Sequence, residues 1–123
     1  MKLHLAQSKN RNSFTGYGVG YVTVNGIAYR APLVVTPETI VADWPVADLA
    51  ELTADALRGL LALAPEIIIL GTGAMQRFPD PALLRPLYEA RMGLEIMATP
   101  AACRTYNILM AEERRVLAAM WLP

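Results

Sequence analysis

Apolar positions change rhythm about a third of the way along this chain. Up to Thr36 they fall in short alternating runs, the period of a half-buried strand, and beyond Thr53 they recur at helical spacing or form unbroken blocks. Leu3 and Leu5 alternate with Lys2, His4 and Ala6 ahead of a polar turn at Ser8-Lys9-Asn10-Arg11-Asn12-Ser13. Tyr21-Val22-Thr23-Val24, Asn25-Gly26, Ile27-Ala28-Tyr29-Arg30 then has the form of a tight hairpin. Asn and Gly tolerate the positive φ angles of a two-residue type I′ turn. Gly16, Gly18 and Gly20 alternate just before it, marking either a strand with one bare face that a neighbour approaches closely, or a bend.

Leu33-Val34-Val35 and Ile40-Val41-Ala42 read as two further strands around a turn at Thr36-Pro37-Glu38-Thr39, and Trp44-Pro45 ends the second. Thr53 is placed to cap a helix over 54–63, whose Leu57, Leu60, Leu61 and Ala64 share a face before Pro65 stops it. Ile67-Ile68-Ile69-Leu70 has no polar interruption, which fits a strand covered on both faces and predicts the centre of a sheet. Asp80-Pro81 opens the next helix, with Leu84, Leu87, Tyr88 and Arg91 on one face and Gly93 at its end. Leu94-Glu95-Ile96-Met97 follows as a strand, and strand, helix, strand implies a right-handed parallel crossover. Thr99-Pro100 repeats the cap-then-proline device and starts a helix to about Ala111, with Tyr106, Leu109 and Met110 inward. For the tail, 115–122, period leaves both a continued helix and a last strand open. The sum is an α/β layered single domain, 1–123, with a β-rich first third and a hairpin at 21–30.

Charge excludes one class of partner. Lys plus Arg and Asp plus Glu number eleven each, so no basic field is available for a phosphate backbone and no nucleic-acid binding is expected. One cysteine, Cys103, and one histidine, His4, cannot make a disulfide or a zinc site, so metal and cofactor are expected to be none. The opening stretch carries a basic residue but no apolar block, and is read as neither a secretory signal nor an Arg-rich presequence. No apolar run approaches a membrane span of about 20 residues, so membrane insertion is not expected and the reading is cytoplasmic. A hydrophobic share of 54% implies either a generous core or a surface that a partner covers.

The candidate site lies where Gly71-Thr72-Gly73 leaves its strand. Glycines permit a sharp exit that uncovers backbone N–H groups, and α/β proteins bind ligands at such strand ends. A dinucleotide fingerprint needs a further glycine and an immediate helix, and Ala74-Met75-Gln76 follows instead. Arg77 could join these amides around a small anion. Thr99 at a helix start, with Arg104 and Asn107 three apart beyond it, would add to the same edge, since both parallel strands end there. Each has a structural alternative: glycines that only permit the turn, Thr99 as a cap, Arg104 paired with Glu112 or Glu113, Asn107 solvated. Cys103 reads as a small buried apolar residue. Ser8 and Ser13 sit on no strand-to-helix elbow, and Glu112 and Glu113 are adjacent and diverge. No catalytic set is legible.

Ile67-Ile68-Ile69-Leu70-Gly71-Thr72-Gly73, Gly93-Leu94-Glu95-Ile96-Met97 and Cys103-Arg104-Thr105-Tyr106-Asn107-Ile108-Leu109 together resemble a family of small single-domain proteins of long-unknown function. Its mitochondrial members are assembly factors for respiratory complex I. The resemblance spans nearly the whole chain and implies a three-layer fold with a central mixed, mainly parallel sheet and a last strand antiparallel to its neighbours, which tips the tail towards strand. The family's turn glycine after the last helix is replaced by Glu112-Glu113-Arg114, and its mitochondrial targeting segment is absent, as in a bacterial member. It offers no catalytic residues to transfer. Two functions follow: an assembly or interaction protein with respiratory-complex subunits as partners, or a small-ligand binding protein, or enzyme of unknown reaction, using the crevice of Gly71, Thr72, Gly73, Arg77, Thr99, Arg104 and Asn107. A homodimer would cover exposed sheet edges.

Overall fold

The computed structural model describes residues 10–123. The Leu3 to Leu5 strand pattern lies outside them. Among the described residues eight strands form two sheets. The smaller is an antiparallel meander of β1 (Phe14–Gly18), β2 (Tyr21–Val24) and β3 (Ile27–Tyr29). Asn25 and Gly26 take φ of 55° and 82°, the left-handed pair of a type I′ turn, and Val24 faces Ile27 across it. Both readings of the glycine alternation hold here. The Tyr21 ring occupies the space a Cβ on Gly18 would need, and Gly20 turns the chain with φ 77°. A bulge after Phe14 adds Thr15 to one side of the ladder.

The larger sheet has the order β5-β4-β8-β6-β7, built from β4 (Leu33–Val35), β5 (Ile40–Val41), β6 (Ile67–Thr72), β7 (Gly93–Met97) and β8 (Val116–Trp121). β6 pairs in parallel with β7 and β8, while β4 is antiparallel to β8 and β5. The three-layer mixed α/β fold therefore stands, with three details changed. Parallel and antiparallel pairings are equal in number, not mainly parallel. The last strand is antiparallel only to β4. The middle strand is β8, with β6 interior beside it. Every residue of β8 is buried: Val116, Ala118 and Met120 meet one layer, and Leu117, Ala119 and Trp121 the other. A strand apolar on both faces has no period-2 signature, which is why the tail reads ambiguously.

The two cores lie on opposite faces of this sheet. Ile68, Leu70, Leu117 and Trp121 pack under α1 (Ala54–Leu60) and α2 (Arg85–Glu89). Ile69, Ala118 and Met120 pack under α3 (Thr99–Ala111) and the small sheet, where Phe14 meets Tyr106 edge to face at 5.1 Å. Thr53 caps α1 by accepting from the Ala56 amide, and Ala64 ends the following 3-10 turn at φ 54°. Asp80 caps as expected but opens a 3-10 turn ahead of α2. The left-handed residue after α2 is Arg91, not Gly93, which instead begins β7 close to Ile67. Tyr88 points to solvent rather than with Leu84 and Leu87. Among the described residues no helix is long and apolar enough to cross a membrane.

Candidate functional site

β6 and β7 run in parallel, so they release their chains on one edge of the sheet, where β8 also ends. The Gly71-Thr72-Gly73 exit and the start of α3 meet there. Thr99 is fully buried and its hydroxyl does not cap its own helix: Oγ1 accepts from the Gly73 amide at 2.8 Å and donates to the Trp121 carbonyl at 2.5 Å. The Thr99 amide returns a bond to the Gly73 carbonyl at 2.8 Å. One side chain thereby ties the ends of β6 and β8 to the start of α3. Gly71 has no room for a side chain, because a Cβ would strike Met120 Sδ and lie 3.0 Å from Thr99 Oγ1. Gly73 takes φ 94°, a backbone that L side chains rarely adopt.

Thr72 organises the loop that follows. Its hydroxyl donates to the Met75 carbonyl at 2.8 Å and accepts from the Arg77 amide at 3.0 Å. The Gln76 side chain ties the same loop to the Ile96 carbonyl of β7. Met75 and Phe78, three apart on this loop, are left 73% and 68% exposed. The Arg77 guanidinium closes on Asp48 at 2.9 Å across 29 positions of sequence. That bond, with the Ala50 amide, holds the Asp48 carboxyl below its usual range.

An open cleft of about 450 Å³ lies outside this junction, lined by Pro32, Asp48, Thr72, Gly73, Arg77 and Trp121 among others. Five of the seven candidate residues thus come together: Gly71, Thr72, Gly73, Arg77 and Thr99. Gly71 and Thr99 belong to the junction and do not line the cleft, and the Gly73 amide is turned inward to Thr99. Arg104 and Asn107 go elsewhere. Arg104 donates to the Tyr17 hydroxyl at 2.9 Å, neither paired with Glu112 or Glu113 nor aimed at the cleft. Asn107 is buried and clamps β1, accepting from the Phe14 amide at 2.9 Å and donating to the Phe14 carbonyl at 2.8 Å. Helical spacing placed these two residues correctly on α3, but the small sheet they reach is set by the tertiary fold. Asp48 and Trp121 had no local signal, since their roles depend on contacts far apart in sequence.

Cys103 is fully buried beneath β1 and β8 residues, and burial pushes its thiol up to about 12, the form of an inert core residue. Burial likewise raises Tyr106, whose hydroxyl donates to the Asn12 carbonyl at 2.8 Å. Among the described residues no group of three His, Cys, Asp or Glu side chains is placed to hold a metal ion, and no buried side-chain polar atom lacks a partner.

A mixed five-stranded sheet between a two-helix layer and a layer of α3 with an antiparallel meander defines a compact class of three-layer α/β domains. The chain belongs to the family described as a protein of unknown function, DUF498/DUF598, which matches residues 14–121. It is similar to a Bordetella parapertussis protein of known crystal structure, 42% identical with a TM-score of 0.87, covering 95% of this chain and 100% of that one. A Francisella tularensis protein called a 13 kDa major membrane protein is 31% identical over 104 residues, 84% of this chain and 85% of that one. The Danio rerio protein named NADH dehydrogenase [ubiquinone] 1 alpha subcomplex assembly factor 3 is 31% identical over 102 residues, 81% of this chain. The match spans 58% of that relative, so this chain corresponds to a little over half of its length.

Proposed function

We propose that this protein is a non-catalytic assembly factor that binds subunits of a respiratory NADH dehydrogenase while they are being put together. The observation that carries this reading is the similarity, over four-fifths of the chain, to proteins named as complex I assembly factors. The geometry supports it in two ways. Hydroxyls and amides at the strand-end junction are engaged in holding three elements together, which suits a rigid scaffold more than a reacting centre. The same junction projects a loop with Met75 and Phe78 exposed next to the edge strand β7, an arrangement suited to protein contact. Photo-cross-linking from position 75 or 78 in the source cell tests it. Cross-links to NADH dehydrogenase subunits are expected, and cross-links to abundant housekeeping proteins alone would overturn the reading.

The cleft itself favours a second reading, a small anionic ligand taken up by Arg77 on the wall that Thr72 and Gly73 also line. Arg77 is half-exposed on the cleft wall, and a ligand carboxylate or phosphate would compete with Asp48 for its guanidinium. Asp48→Asn would free Arg77 and tighten binding of inorganic phosphate, measured by calorimetry. No heat from either protein would remove this reading.

A further inference from the structure

The helical layer does not cover the whole sheet. α1 and α2 are seven and five residues long, and they face five strands. A groove of about 490 Å³ remains between α1 and the β4–β5 edge, lined by Val34, Val41, Trp44, Ala56, Gly59 and Leu63 among others. Among the described residues β5 is the outermost strand, and its far side has no strand partner there. Gly59 is the telling residue. It stands inside α1, has no positive φ, and a Cβ there would meet nothing within 4 Å. A glycine weakens a helix relative to alanine, and nothing among the described residues requires one here. Its bare surface makes room for something outside the chain.

Charge identifies the chemistry of that occupant. Between positions 31 and 57 the sequence has five acidic residues, Glu38, Asp43, Asp48, Glu51 and Asp55, and no Lys or Arg. Glu51 and Asp55 line the groove, with no basic residue among its lining, and Asp43 adjoins Trp44. Asp48 is engaged by Arg77 and Asp55 by Arg58, whereas Asp43 and Glu51 have no ion-pair partner among the described residues.

We infer that this groove docks an extended segment of a partner protein in which aliphatic and basic residues alternate, its backbone added to β5 and its aliphatic side chains entering over Gly59. Strand addition supplies backbone bonds, alternate side chains supply specificity, and the acidic rim selects lysine or arginine over glutamate. The inference rests on the interaction reading above and gives it a surface and a class of partner sequence.

Fluorescence anisotropy with a labelled nine-residue peptide of alternating valine and lysine tests it, against the same peptide with glutamate for lysine. The lysine peptide should bind, and the glutamate peptide at least about tenfold more weakly. Gly59→Leu, checked for folding by circular dichroism, should weaken the lysine peptide by a similar factor, as should Glu51→Lys with Asp55→Lys. Gly59→Ala should raise Tm by about 1–6 °C, as expected for a helix glycine with no packing role. Equal affinity for both peptides, or a folded Gly59→Leu protein with unchanged affinity, would overturn the assignment. So would concentration-dependent dimerisation that Gly59→Leu abolishes in a sedimentation experiment, since the occupant would then be a second copy. The two readings fail separately. Cross-links to respiratory subunits together with equal affinity for the two peptides remove the groove and leave the assembly role; a peptide-binding groove in a protein that cross-links to no respiratory subunit does the reverse.

Discussion

Thr99 and Gly73 are bonded to each other twice, amide to carbonyl in one direction and amide to hydroxyl in the other, both at 2.8 Å. Because the same hydroxyl also donates to the Trp121 carbonyl, removing it leaves two buried backbone groups without partners. Thr99→Val should therefore cost about 2–4 kcal/mol, and Thr99→Ser about 1 kcal/mol, since only the methyl is lost. Urea unfolding midpoints check the order. A Ser variant as unstable as the Val variant would contradict the role given to the hydroxyl.

Asn107 holds the small sheet to α3 through both groups of Phe14. Asn107→Leu fills the site but satisfies neither, and should cost about 2–4 kcal/mol. Hydrogen exchange in β1 to β3 should accelerate more than in β6 or β8, because the meander depends on this attachment. Uniform acceleration across both sheets would place the loss elsewhere.

Gly71 lies against Met120 and Thr99. Gly71→Ala should destabilise by about 1–3 kcal/mol, and Met120→Ala, costly alone, should cost less in its presence because it vacates the space the new methyl needs. A double-mutant cycle by chemical denaturation measures that coupling. Strict additivity would show that Met120 yields without penalty.

How much of this was readable beforehand varies by element. The Asn25-Gly26 hairpin, the Thr53 cap and the buried isoleucine strand each follow from local chemistry, and the structure contains all three. A parallel crossover from β6 to β7 already places Gly73 and Thr99 on one edge. What local chemistry could not give was the destination of a side chain. Thr99 at a helix start has the composition of a cap, yet its rotamer serves Gly73 and Trp121, and Asn107 turns to a strand 93 positions away. The middle position of β8 was equally hidden, since an all-apolar run fits a buried strand or a buried helix.

Cys103 makes stability fall at high pH. Its thiol is raised to about 12 from 9.0, so the unfolded chain ionises first. The contribution is complete below pH 9 and is lost as pH rises towards 12, and Tyr106, also raised by burial, acts in the same direction from pH 10 upward. Cys103→Ala should flatten the first part of that decline in unfolding midpoints. In the native protein the thiol should be inert to Ellman's reagent at pH 8 and react once in denaturant. Rapid native labelling would contradict the burial.

The assembly role is tested most directly by deleting the gene in its source cell and quantifying assembled NADH dehydrogenase on native gels. The account predicts that the assembled complex falls, returns with the wild-type protein, and does not return with Phe78→Ala, a substitution at an exposed site that should shift stability by no more than about 0.5 kcal/mol. An undiminished complex in the deletion strain would contradict it.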